Sequence, residues 1–179
     1  ENLSLTNNAQ QTVGKNGIGI YVTGTSLKPS TVVNNEELNL DGEKSIGIYA
    51  KDNTTITSLG TIIGTNSKND KIGIFLDGGD IAGSLNYTFD VDGGIGIYMK
   101  EYIDYSGQMK LSGTSYNDGI TDYRTIGILA DKAIGTGTLD TDIEMTGANG
   151  IGIYLDSDNI TGPNLTYTGR LDLNGISGN

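Results

Sequence analysis

The run Ile18-Gly19-Ile20-Tyr21-Val22 decides how the rest of the chain is read, because it returns five more times. The copies are Ile46-Gly47-Ile48-Tyr49-Ala50, Ile72-Gly73-Ile74-Phe75-Leu76, Ile95-Gly96-Ile97-Tyr98-Met99, Ile126-Gly127-Ile128-Leu129-Ala130 and Ile151-Gly152-Ile153-Tyr154-Leu155. Their first isoleucines are separated by 28, 26, 23, 31 and 25 residues, and self-similarity at a period of about 20 to 50 residues marks a solenoid or array. Within a copy the strict alternation is that of a strand. It puts both isoleucines and the fifth residue on one face, and the glycine and the aromatic on the other. The branched face is expected to be the core.

Each copy ends in turn chemistry such as Thr23-Gly24, Lys51-Asp52-Asn53 or Asp77-Gly78-Gly79-Asp80, where glycine, aspartate and asparagine accept the backbone angles of a tight turn. Weaker alternating runs lie between copies: Leu38 to Leu40, Ile56 to Ile63, Leu85 to Val91, Gln108 to Leu111, Asp142 to Met145 and Leu165 to Leu173. About three short strands per repeat follow, and no stretch holds a helical period. One such unit cannot bury its apolar side alone, whereas units stacked on one another close a continuous core. The expected fold is all-β: a right-handed parallel β-helix of about six coils with three short strands per coil, spanning residues 1–179 as a single repeat domain. With a strand spacing of ~4.8 Å, six coils rise roughly 30 Å. Neither Glu1–Asn16 nor Gly162–Asn179 reads as an amphipathic helix or charged plug, which is the usual cap of a solenoid end. The chain is therefore expected to be an excerpt of a longer rod.

Composition narrows the chemistry. Twenty-two acidic residues against 11 basic ones give a net charge of -11, a field that repels nucleic-acid phosphates and anionic lipid headgroups. Cysteine and histidine are absent, which removes disulfides, cysteine–histidine zinc sites and every nucleophile scheme that depends on an imidazole base or a thiolate. No apolar run approaches the roughly 18 residues that cross a bilayer as a helix, so membrane insertion by this segment is not expected.

The phrase Gly-Ile-Gly-Ile-Tyr, at Gly17 to Tyr21, Gly94 to Tyr98 and Gly150 to Tyr154, resembles the passenger repeats of large fusobacterial autotransporter adhesins, and the resemblance runs over essentially the whole chain. It implies a type V secreted passenger: a β-helical rod outside the cell, held at the outer membrane by a C-terminal translocator barrel that is not in this chain. Such rods attach bacteria to host cells or to other bacteria and contribute to virulence, so the implied partners are a host glycan, a host protein receptor or another bacterium. The lack of cysteine suits a chain that crosses a membrane unfolded. The resemblance assigns no ligand to any named residue.

Binding residues have to be sought locally. With the isoleucines inward, Tyr21, Tyr49, Phe75, Tyr98 and Tyr154, with Leu129 between the last two, form an outward aromatic ridge beside a trough of glycines. Aromatic faces bind sugar rings or partner side chains; stacked rings in neighbouring strands also stabilise a sheet by themselves. The residue after each run, Thr23, Lys51, Asp77, Lys100, Asp131 and Asp156, is expected to form a corner of largely alternating charge. The longest interval contains Thr114 to Arg124, more than a strand and a turn require, and insertions in repeat proteins tend to be loops on a binding face. Tyr116, Asp118, Asp122, Tyr123 and Arg124 are its candidate ligand-binding residues, tyrosine and arginine being frequent interface anchors. A weaker bulge is read at Ser26 to Asn35 around Pro29.

Two other classes stay open. Asp118, Asp122 and Arg124, with Asp140 and Asp142 one coil on, suit a polysaccharide-processing enzyme that works through turn carboxylates, and the whole segment suits a pure spacer. The acidic turns Asp77-Gly78-Gly79-Asp80 and Asp156-Ser157-Asp158-Asn159 invite a calcium reading, but Gly93-Gly94-Ile95-Gly96-Ile97 is followed by Tyr98 where the calcium nonapeptide needs aspartate. The reading is a non-catalytic adhesin segment with no metal and no cofactor.

Overall fold

The structure, a computed structural model, describes residues 3–64, 70–82, 85–117, 119–156 and 165–174. The first four coils each carry three strands: β1 (Leu3–Asn7), β2 (Gln11–Val13) and β3 (Ile18–Thr23); β4 (Ser30–Asn34), β5 (Leu38–Leu40) and β6 (Ile46–Lys51); β7 (Thr54–Ser58), β8 (Ile62–Ile63) and β9 (Ile72–Asp77); β10 (Asp80–Ile81), β11 (Tyr87–Asp90) and β12 (Ile95–Glu101). The chain continues through β13 (Tyr105–Leu111), the short β14 (Tyr116–Asn117) and β15 (Asp122–Tyr123), then β16 (Ile126–Ile134), β17 (Gly137–Met145), β18 (Ile151–Asp156), β19 (Leu165–Tyr167) and β20 (Leu171–Leu173). No helix occurs among the described residues.

Strands of like position pair in parallel, coil on coil, into three sheets. The first sheet runs β1-β4-β7-β10, the second runs from β2 through β5, β8, β11 and β13 to β17, and the third runs β3-β6-β9-β12-β16-β18. Both β19 and β20 pair with β17. The molecule is a parallel β-solenoid of about six turns, as the repeat implies. Among the described residues the first sheet ends at β10; in the next two coils β13, β16 and β17 lengthen to seven to nine residues, so those coils carry two long strands where the first four carry three.

The interior is built of columns. Ile20, Ile48, Ile74, Ile97 and Ile128 are buried in line, as are Val22, Ala50, Leu76, Met99 and Ala130. They face Leu38, Ile62, Phe89, Leu111 and Met145 of the second sheet and Val32, Ile56 and Ile81 of the first. Burying one such side chain contributes about 1.5–3 kcal/mol. The corner between first and second sheets adds a polar ladder: Asn7 Nδ2 donates to Asn34 Oδ1 at 2.7 Å, and Asn34 Nδ2 donates to the Glu36 carbonyl at 2.8 Å.

One part of the expected alternation fails. The first isoleucine of each copy is not a core residue: Ile18 is exposed, and Ile46, Ile72, Ile95, Ile126 and Ile151 are only half-buried, whereas Gly47, Gly73, Gly96, Gly127 and Gly152 are buried. Glycine and second isoleucine both point inward, so the strand kinks at the glycine, and the ladder pairs first isoleucines with first and second with second while skipping the glycine. A Cβ on Gly47 would stand 2.6 Å from the Gly73 carbonyl oxygen and 3.1 Å from Ile62 Cδ1, and one on Gly96 would stand 3.3 Å from Leu111 Cδ2. The glycines therefore admit second-sheet side chains, and the expected external trough does not exist.

The turn from second to third sheet has its own signature. Two residues ahead of the first isoleucine, Asn16, Lys44, Asp70, Gly93 and Asn149 hold φ of 56, 55, 58, 59 and 57°, the left-handed conformation in five of six coils. Asparagine and glycine adopt it readily, whereas a lysine does so at a cost.

Candidate functional site

Three surface features stand on this scaffold. The first is the aromatic ladder on the outer face of the third sheet. The register aligns Tyr21, Tyr49, Phe75, Tyr98, Leu129 and Tyr154, and successive ring centroids from Tyr21 to Tyr98 lie 5.2, 4.7 and 4.7 Å apart. Four of the five expected ridge residues thus stack, and Leu129 separates Tyr154 from them. The hydroxyls are tied down: Tyr49 donates to Asp77 Oδ2 at 2.8 Å, and Tyr98 donates to Asp131. Burial first, then the hydrogen bond and charge of these carboxylates, pushes both phenols up to about 12.

The charge column beside it is only partly zipped. Lys100 Nζ is 3.6 Å from Asp77 Oδ1 and 5.4 Å from the Phe75 ring centroid, whereas Asp131 lies in register with Asp156, like charge against like. Since the ladder residues also occupy each other's ring edges, much of this face serves the sheet itself, with Ile18, Tyr21 and Tyr154 the most open positions.

The second feature is the insertion, which is an antiparallel hairpin. Tyr116 pairs with Tyr123 and Asn117 with Asp122. Its root explains how nine residues enter a corner without breaking the solenoid: Thr125 N–H donates to Ser115 Oγ at 2.8 Å, Ser115 Oγ donates to the Asn149 carbonyl at 2.8 Å, and Gly93 N–H donates to Thr125 Oγ1 at 3.0 Å. Ser115 and Thr125 are buried and clasp the chain where the other coils place their left-handed residue. Gly119 turns the hairpin at φ 90°, its N–H donating to Asn117 Oδ1 at 2.6 Å, and Ile120 at the tip is 94% exposed. Of the five expected binding residues, Asp122 and Tyr123 form the returning strand and Arg124 follows it, Asp122 and Arg124 joined as an ion pair. Tyr116 opposes Tyr123 across the ladder, and Asp118 lies outside the described residues. Ser115, Ile120 and Thr125 were missed; a serine and a threonine bracketing the excursion were the available signal for its root.

The expected bulge at Ser26 to Asn35 resolves differently. Thr25 and Lys28 exchange backbone hydrogen bonds of 2.9 and 3.0 Å in a tight turn, and Ser30–Asn34 is β4 rather than loop.

The third feature was not foreseen. Where the first sheet ends, a crevice of about 290 Å³ opens between Gly78, Asp80 and the following coil at Glu101, Asp104 and Thr136. Asp80 stays exposed, but partial desolvation in the crevice raises its carboxyl; the Ile81 N–H partly opposes this and the Asp104 charge adds to it. Among the described residues no three acidic side chains are grouped so as to hold a metal ion. The other carboxylates weighed for catalysis are engaged separately: Asp140 accepts from Thr168 Oγ1 at 3.0 Å and Asp142 from the Arg170 N–H at 2.9 Å, both from the next coil.

No family model, curated protein or solved structure matches the chain. The class that fold and surface define is a parallel β-solenoid with a clasped hairpin standing off one corner.

Proposed function

We propose that this chain is a non-catalytic segment of an autotransporter-type adhesin passenger, displayed outside the bacterial cell through an outer-membrane barrel beyond this segment. On this reading it attaches the cell to a host glycan, a host protein receptor or another bacterium, and the hairpin β14–β15 makes the contact. The observation that supports the reading is the hairpin's construction: a buried, hydrogen-bonded root at Ser115 and Thr125 carries an isoleucine that is 94% exposed. On the same hairpin stand Tyr123 and Arg124, residue types that most often anchor interfaces. The test is binding of the purified chain to host cells and to a glycan array. Ile120→Asp and Arg124→Ala are expected to abolish binding with the circular dichroism spectrum unchanged; binding that survives both would remove the hairpin from the reading. If this chain binds nothing while a longer parent binds, it is a spacer.

A polysaccharide-processing enzyme is the second reading, favoured by the crevice, where Asp80 has raised proton affinity near Glu101 and Asp104. Carboxyls gathered in a crevice are what glycoside cleavage uses. Release of reducing ends from a polysaccharide panel, abolished by Glu101→Gln and by Asp104→Asn, would establish it and end the adhesin reading for this segment.

A further inference from the structure

The outer face of the third sheet has a property beyond its ring stacking: it is complementary to itself. Because the strand kinks at each glycine, the face carries two apolar columns, the first isoleucines and the aromatic ladder, all twelve positions at least partly exposed. On one side they are flanked by Lys51, Asp77, Lys100 and Asp131 in successive coils, and on the other by the left-handed corner residues, among them Lys44 and Asp70.

Two copies can lay these columns together in two ways. A two-fold axis parallel to the solenoid axis keeps the coil order and reverses the strands. It brings the charge column of one copy onto the corner column of the other, coil for coil, so Lys51 meets Lys44 and Asp77 meets Asp70, two like pairs against the one opposite pair of Asp131 with Arg124. Like charges opposed across an interface disfavour that arrangement. A two-fold axis along the strands instead reverses coil order and keeps each column facing its own counterpart. The third coil then lies on the fourth and the second on the fifth, so Asp77 faces Lys100 and Lys51 faces Asp131, each twice by symmetry, while on the corner column Lys44 lies opposite Arg124, one like pair against these two opposite ones. The same operation sets Phe75 against Tyr98, Tyr49 against Leu129, Ile72 against Ile95 and Tyr21 against Tyr154.

We infer that the third-sheet face is the docking surface for a second copy of this chain, in the antiparallel, isologous arrangement. The aligned face is ~24 Å along the solenoid axis and ~17 Å along the strands, a footprint on the order of 400 Å², about half of what one partner contributes to a standard interface. The dimer is therefore weak and reversible, and it forms where copies are concentrated. It does not rest on the receptor reading above, and the hairpin, whose root leads into Ile126, stands at the corner of this face.

Sedimentation velocity over a concentration series tests it. Lys51→Glu and Asp131→Lys are each expected to weaken self-association roughly tenfold, because each places two like-charge pairs in the interface. Mixed in equal amounts, the two variants are expected to recover wild-type affinity as a heterodimer, since every cross pair is again opposite. Asp131→Lys also lowers the net negative charge, so tighter association by that variant would show that overall repulsion governs the behaviour and would overturn the proposal. A wild-type chain that stays monomeric to its solubility limit also overturns it; capture of that monomer on a polysaccharide matrix would assign the face to a glycan. A second pair of variants does not disturb the Tyr98–Asp131 bond. Tyr21→Cys mixed with Tyr154→Cys, both at exposed positions in a chain without cysteine, is expected to form an intermolecular disulfide under mild oxidation. Neither variant alone should do so, and equal cross-linking of either variant with itself would reject the antiparallel arrangement.

Discussion

At the scale of single residues, the glycine of the repeated phrase is the most constrained position. A Cβ on Gly73 would overlap the Tyr87 hydroxyl, lie 2.7 Å from the Gly96 carbonyl oxygen and press on Phe89 Cδ2 at 3.0 Å. Tyr87 is itself buried, and its hydroxyl donates to that same Gly96 carbonyl at 3.3 Å. Gly73→Ala is therefore expected to destabilise the chain by about 1–3 kcal/mol through overpacking, measured as a lower denaturant midpoint at unchanged slope. The opposite sign is expected at Lys44, whose φ of 55° strains an ordinary side chain; Lys44→Gly should stabilise the fold by up to about 1 kcal/mol. Much of this was legible in the primary structure. The aromatic column and the inward second isoleucine follow from periodicity, but the kink does not, because period-two counting has no place for two consecutive inward residues. An invariant glycine within an otherwise β-branched run was the clue, since a glycine inside a strand marks a bend or a close approach of other atoms. Lys44 and Asp70 hid the left-handed corner, which Asn16-Gly17, Gly93-Gly94 and Asn149-Gly150 suggest.

At the scale of elements, the hairpin and the end of the first sheet are departures from the repeat, and only one announced itself. The long interval before Ile126 revealed an insertion, while its antiparallel pairing rests on Gly119 and on the clasp, neither of which a length can show. The first sheet's short strands were largely unseen: β10 has two residues and β4 begins one residue after Pro29, too little alternation to register. The crevice appears only when that sheet's termination is known. Because Ser115 and Thr125 carry the root, the hairpin should be separable from the solenoid. Deleting residues 116–123 leaves Ser115-Arg124-Thr125, with Arg124 in the corner position; Arg124→Gly added to the deletion supplies the residue suited to positive φ. That variant is expected to keep a melting temperature within a few degrees of the parent, since excising a surface loop changes closure entropy little. A collapse of the third sheet, seen as loss of cooperative melting, would show that the hairpin is needed for folding.

At the scale of the whole molecule, stability is carried by contact between neighbouring coils, and the tyrosine–carboxylate bonds along the third sheet give that contact a dependence on pH. Tyr49 reaches forward to Asp77 and Tyr98 to Asp131, each bond joining one coil to the next. Both phenols are pushed up to about 12, by burial first and then by the carboxylate they donate to, against about 10 in an unfolded chain. The folded pKa lies above the unfolded one, so the folded state holds these protons more tightly. The contribution is therefore complete below about pH 10 and fades as pH rises through about 12. Alkaline unfolding of the wild-type chain is expected in that window, with phenolate absorbance and loss of β-sheet dichroism rising together. In Tyr49→Phe/Tyr98→Phe the rings and their stacking remain but the protons that join the coils do not. Unfolding of this variant should therefore begin at the same pH or higher, while stability at neutral pH falls by the value of two exposed-side hydrogen bonds, about 0.5–1.5 kcal/mol each. If the double variant instead loses stability equally at neutral and alkaline pH, the hydroxyls are not what couples the coils to pH, and the buried phenols Tyr87 and Tyr105, both also raised by burial, carry the alkaline transition.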